Sequence, residues 1–109
     1  MSKTVKQALI DEIHYPIPDG FVDNKLIERQ LDGNTEYTFE VHNSFAWKGA
    51  LADCLYSLLQ AVNLSESDKS VGTLSDKDKE RLLIRINNLY KEIGEDEVDL
   101  GLPTVFIGG

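Results

Sequence analysis

Apolar residues recur along this chain at helical spacing, in four runs parted by three breakers. Val5, Leu9 and Ile13 stand four apart in the first run, and Thr4 with Gln7 makes a capping box ahead of them. A helix from Val5 to Ile13 is predicted. His14-Tyr15-Pro16-Ile17-Pro18 should end it, because each proline pushes its predecessor out of helical geometry. The second helix is predicted from just after Asp19 to about Leu31, with Val22 and Leu26 on one row and Ile27 and Leu31 on another. Asp32-Gly33-Asn34 is a turn cluster that stops it.

The third run, residues 36–62, is the longest. Val41, Phe45, Ala52, Leu55, Leu59 and Val62 form one stripe, interrupted at Lys48; Trp47, Leu51, Cys54 and Leu58 form a second beside it. Only Asp53, Tyr56, Ser57 and Gln60 are left as a polar strip. A helix apolar over most of its girth is surrounded by others, so this run is expected at the centre, with Asn43-Ser44 as a possible break. A linker rich in Ser and Asp follows, from Asn63 to Leu74. The fourth run reads as a helix with both ends written in. Ser75 is the candidate N-cap, Asp78 closes its box, Leu82, Ile86, Leu89 and Ile93 make the stripe, and Gly94 is the left-handed stop. The fold expected is all-α: a compact four-helix bundle-like domain over residues 1–102, with a long central third helix and an irregular loop before the fourth. A short β-prone tail, residues 103–109, completes it.

Composition narrows the class without adding chemistry. The chain has 109 residues, enough for one domain with its own core, and its 41% hydrophobic and 28% charged residues are ordinary for a globular protein. No run approaches the roughly 18 apolar residues of a membrane span. The opening residues place acids where a signal peptide needs an apolar core, which makes the cytoplasm the expected compartment. A net charge of −8 argues against gripping nucleic acid through a basic patch. Cys54 is the lone cysteine, so no internal disulfide is expected, and its place on an apolar stripe reads as core.

Catalytic motifs are missing. There is no Gly-rich phosphate loop, no HExxH and no GxSxG. His14 lies in a turn and His42 has no ligand four residues on, so both read as satisfied surface histidines and neither as a metal ligand. Asp76 and Asp78 read as capping residues, and residues 95–99 as a solvated acidic face, since neither has the alternating ligands of a calcium loop. No catalytic residue, cofactor or metal is therefore expected. Two irregular segments are more apolar than their setting requires. Val71 and Leu74 sit in the linker among serines, and Val105, Phe106 and Ile107 near the chain's end form a β-prone segment that either folds back or adds to a partner.

The order of parts resembles the small head–tail connector (adaptor) proteins of tailed bacteriophages, including a branch found in prophage-like regions. The matching stretches are TVKQALIDEIHYPIPDGFVDNKLIERQLD, NSFAWKGALADCLYSLL, SVGTLSDKDKERLLIRINNLYKEIGE and the final PTVFIGG. In the third of these, a Ser-Val-Gly loop leads into a helix that ends at Asn87-Asn88-Leu89-Tyr90 and Gly94. What this resemblance implies is a structural role: a ring of subunits beneath the capsid portal, continuing the DNA channel toward the tail. Its partners would be other copies of the chain and the portal and tail proteins, in the host cytoplasm or the virion, with no sequence-specific nucleic acid, membrane or small-molecule substrate. An acidic surface suits a channel that must let DNA pass. Val71, Gly72 and Leu74 in the loop, and Val105, Phe106 and Ile107 in the tail, are the apolar irregular residues available for subunit or partner contacts. The alternative reading is a small helical protein-binding or regulatory module of a mobile element, with one exposed apolar groove. A third, catalysis by unrecognised carboxylates, has no motif behind it.

Overall fold

The computed structural model describes residues 3–15, 17–64 and 76–99. Within them lie five helices and no extended strand: α1 (Val5–Ile13), α2 (Asp19–Glu28), α3 (Phe39–His42), α4 (Phe45–Leu64) and α5 (Asp76–Glu92). The protein is mainly helical, as its periodicity requires. Helix α4 packs against each of the other four, and α1 also packs on α2.

Several expectations need correction, while the break offered at Asn43-Ser44 is realised. The long third run is two helices, because Ser44 caps a new one: its hydroxyl accepts from the Trp47 amide (3.1 Å) while donating to the Val41 carbonyl (2.7 Å). Helical register restarts there, so the stripe counted across the break fails, and Phe45 is 64% exposed instead of buried. Helix α2 ends three residues early. Gln30 adopts a left-handed φ of 63°, its amide reaches the Ile27 carbonyl (2.9 Å) and the Leu31 amide reaches that of Leu26 (2.8 Å). This is a Schellman stop, which turns Leu31 toward the core and leaves Ile27 70% exposed. In α5, Tyr90 joins Leu82 and Ile86 in the core, while Leu89 is only half-buried. The proposed cap at Ser75 lies outside the described residues.

Other end signals match their structures. Thr4 and Gln7 form both bonds of the α1 capping box. The next orphan amides of α1, those of Val5 and Lys6, donate to the carbonyls of Thr35 (2.8 Å) and Gly33 (3.0 Å), and the Tyr37 amide returns to Lys3 (2.9 Å). Residues 33–37 are thus stitched to the start of α1, main chain to main chain. The end of α1 is the exception: it is expected from the prolines, but His14, left-handed at φ 67°, makes it before either proline is reached. Gly94, at φ 79°, closes α5 with a second Schellman pair, Gly94 to Lys91 (3.1 Å) and Glu95 to Tyr90 (2.8 Å).

The core is made of the residues the stripes name. Val5, Leu9, Ile13, Val22, Leu26, Trp47, Leu51, Leu55, Leu58, Leu59, Leu82 and Ile86 are all buried. Cys54 is fully buried, and burial pushes its thiol up to about 12. No polar or charged residue is buried among the described residues, so the polar chemistry lies in a shell around this core.

Candidate functional site

The residues proposed from sequence as contact sites, Val71, Gly72, Leu74, Val105, Phe106 and Ile107, lie outside the described residues. Among the described ones, the densest polar constellation joins α2, α4 and the segment after α5. Arg29 sits where α2 unwinds, and its guanidinium grips two carboxylates at once. It donates to Asp53 of α4 through Nε (2.8 Å) and Nη2 (3.0 Å), and to Glu95 through Nη1 (2.6 Å) and Nη2 (3.0 Å). Tyr90 of α5 donates its hydroxyl to the same Asp53 carboxylate at 2.6 Å. Two bidentate pairs on one arginine fix its plane, a geometry lysine cannot supply.

Local sequence explains why this cluster fits. Asp53 falls on the polar strip of α4, one turn from Gly49. A Cβ at Gly49 would stand 2.6 Å from the Arg29 guanidinium carbon, so the missing side chain is the space in which that group lies. Burial, then the bond to Asp53, pushes the Tyr90 hydroxyl well above the usual tyrosine range and keeps it a donor. Its bond to Arg29 holds the Glu95 carboxyl below the ordinary glutamate value. The members answer one another, and what the cluster can do is hold.

What it holds is the strap of residues 95–99, which the sequence presents as a solvated acidic face. Asn87 reads the main chain of Val98 from both sides: its amide donates to the Val98 carbonyl (2.9 Å) and its oxygen accepts from the Val98 amide (2.7 Å). The Val98 side chain packs against the core. Glu97 lies 3.6 Å from Lys91, and the Tyr56 hydroxyl donates to the Asp99 carbonyl. Asn87, Tyr90 and Gly94, the residues that carry the α5 motif noted in the sequence, therefore act together to end the helix and receive the strap. That motif was the available signal; Arg29 and Asp53 had none of their own.

The remaining candidates are smaller. His42 is exposed and its Nδ1 lies 2.6 Å from the Tyr37 hydroxyl, with both rings beside the buried Trp47. It has a partner, which helical spacing could not show because Tyr37 precedes the helix. An open cleft of about 530 Å³ lies between the α1 and α2 sides, where Lys6 pairs with Asp23 at 3.1 Å. Phe39, 82% exposed, and Phe45 flank the α3–α4 corner, and Ile84 is exposed on α5. Among the described residues no group of His, Cys, Asp or Glu is placed to hold a metal ion, and no helix is long and apolar enough to cross a membrane.

Residues 3–106 match a family of unknown function, DUF6706, and a match over nearly the whole length means that the chain belongs to it. No curated protein and no solved structure matches the chain.

Proposed function

We propose that this DUF6706 member is a non-enzymatic structural protein: a connector subunit of a tailed phage or prophage that assembles as a ring below the portal and continues the DNA channel. In this reading α3 and α4 together serve as the broken third helix of a four-helix bundle-like domain, and residues 103–109 are the contact tail. One observation carries it. The conspicuous polar side chains are spent on internal ties, while Ile27, Phe39, Phe45 and Ile84 are left in solvent on a chain of net charge −8. That distribution suits a protein that works by contact, with apolar side chains on four helices available to neighbours and an acidic surface that does not grip DNA. The resemblance in the four quoted stretches supplies the identity of those neighbours.

The test is co-expression with the portal protein of the phage or prophage that carries this gene, followed by size-exclusion chromatography and electron microscopy. A ring that co-purifies with the portal is expected. Serine at both Phe106 and Ile107 should abolish it while helical circular dichroism persists. Absence of a complex would refute the connector reading, as would unfolding on deletion of residues 103–109, since the tail would then belong to the core. The exposed pair Phe39 and Phe45 also favours the second reading, a small helical binding module; a one-to-one complex with no ring would select it.

A further inference from the structure

The strap is held mainly by side chains. Past the α5 stop, its ties run from side chains of the body to the strap: Arg29 to Glu95, Lys91 to Glu97, Asn87 to the Val98 main chain, and Tyr56 to the Asp99 carbonyl. An amide that both donates to and accepts from one residue's backbone is how a groove reads an extended peptide, and Val98 supplies the apolar anchor beside it. Together these residues form a peptide site whose ligand pattern is a carboxylate, one spacer, a second carboxylate and an aliphatic residue. In the folded chain that ligand is covalently attached. It is joined through Gly94, whose φ of 79° ends the helix and around which a Cβ would meet nothing within 4 Å.

We infer that this groove is a subunit-exchange site, in which residues 95–99 of a second copy of this chain take the place of the chain's own strap. This rests on the ring reading above. Exchange replaces each side-chain tie by an identical one, so its cost is confined to the hinge and the outcome is set by concentration. A lone chain keeps its own strap, because the covalent link makes the local concentration high. Neighbours held side by side in a ring reach comparable local concentrations, and a head-to-tail exchange then closes around the ring. What opens at the hinge is the pair of cap bonds, Gly94 to Lys91 and Glu95 to Tyr90.

The native chain allows the test without substitution. Equal amounts of ¹⁴N and ¹⁵N protein are mixed, unfolded and refolded together, then studied both concentrated alone and assembled on the portal. A zero-length carbodiimide couples Lys91 to Glu97, which lie 3.6 Å apart, and mass spectrometry reads the isotopes of the joined peptides. Lys48 and Glu92, 3.0 Å apart and both within the helical body, are the internal control. In the ring, about half of the Lys91–Glu97 products should carry both isotopes by random pairing of copies, while the control stays unmixed. Rings on the portal with only unmixed Lys91–Glu97 products would overturn the exchange and leave the connector reading standing. An equal mixed fraction at the control would overturn it too. Mixed products in the concentrated chain, with no complex on the portal, would support the exchange and remove the connector reading.

Discussion

Residues 33–37 and residues 95–99 both run irregularly over the helical body, and they are held there by opposite means. The first segment is bound main chain to main chain, through the amides of Val5, Lys6 and Tyr37. The second depends on a handful of side chains, chiefly Arg29, Asn87 and Tyr56. Main-chain ties belong to every residue except proline, so no single side chain specifies them and few substitutions remove them. A side-chain clasp is written in identifiable residues. It is specific, and it can be undone one residue at a time.

Several substitutions separate the two segments from each other and from the core beneath them. The largest effect belongs to the core: Leu55→Ala, at a fully buried position on α4, should lower stability by about 2–5 kcal/mol in urea unfolding. Both segments would then lose protection together. Arg29→Gln removes the hub of the clasp. Asp53 keeps only 17% side-chain exposure, so the loss should be about 1–3 kcal/mol, above that of an exposed ion pair and short of a fully buried one. Amide exchange should quicken at Val98 and remain slow at Val5. Equal acceleration at both would mean that the strap and the stitch are one cooperative unit.

Asn87→Ala is the narrower cut, since it deletes only the two bonds to Val98, worth about 1–2 kcal/mol. Its Val98 amide should lose protection while the Arg29–Glu95 pair survives; unchanged exchange there would show that packing alone holds the strap. Acid provides a subtler probe. Arg29 holds the Glu95 carboxyl below its ordinary value, so folded Glu95 binds fewer protons than unfolded Glu95. Its contribution is complete above the ordinary glutamate range and is lost as pH falls through that range and below it. The urea-midpoint gap between the native chain and Arg29→Gln should therefore narrow at strongly acidic pH, and a gap that widened would contradict the assignment. Smallest of all is Lys3→Ala, which deletes an exposed pair with Asp11 but leaves the Lys3 carbonyl in the stitch. A change under about 0.5 kcal/mol is expected, with Tyr37 amide exchange unaltered.

Legibility along the chain follows the range of each interaction. The α1 capping box, the Gly94 stop, the buried stripe of α1 and the α4 core positions Trp47, Leu51, Cys54, Leu55, Leu58 and Leu59 were readable because their partners lie within about one helical turn or two. Errors arose where a local device had no distinctive residue. Gln30 and His14 are left-handed stops without glycine. The break at Asn43-Ser44 was legible, but the stripe that began with Val41 was counted across it, and Phe45 is exposed. The site was less legible than the fold. Asp53 was visible only as part of a polar strip, Arg29 as one scattered base, and residues 95–99 as acids facing water.

By itself, then, the sequence determined the helical class, most of the helix ends and nearly all of the core, since capping and burial periodicity act between near neighbours. Tertiary structure alone decided that Arg29 meets Asp53 across 24 positions, Tyr90 meets Asp53 across 37 and Glu95 returns to Arg29 across 66. Each of those side chains is common in a helix or loop, and nothing within one turn of it depends on its far partner. Only when α2 and α5 settle on α4 do the charges come within reach, in the space left open at Gly49. The pairing is a consequence of how the helices pack, and packing is not written at any single position.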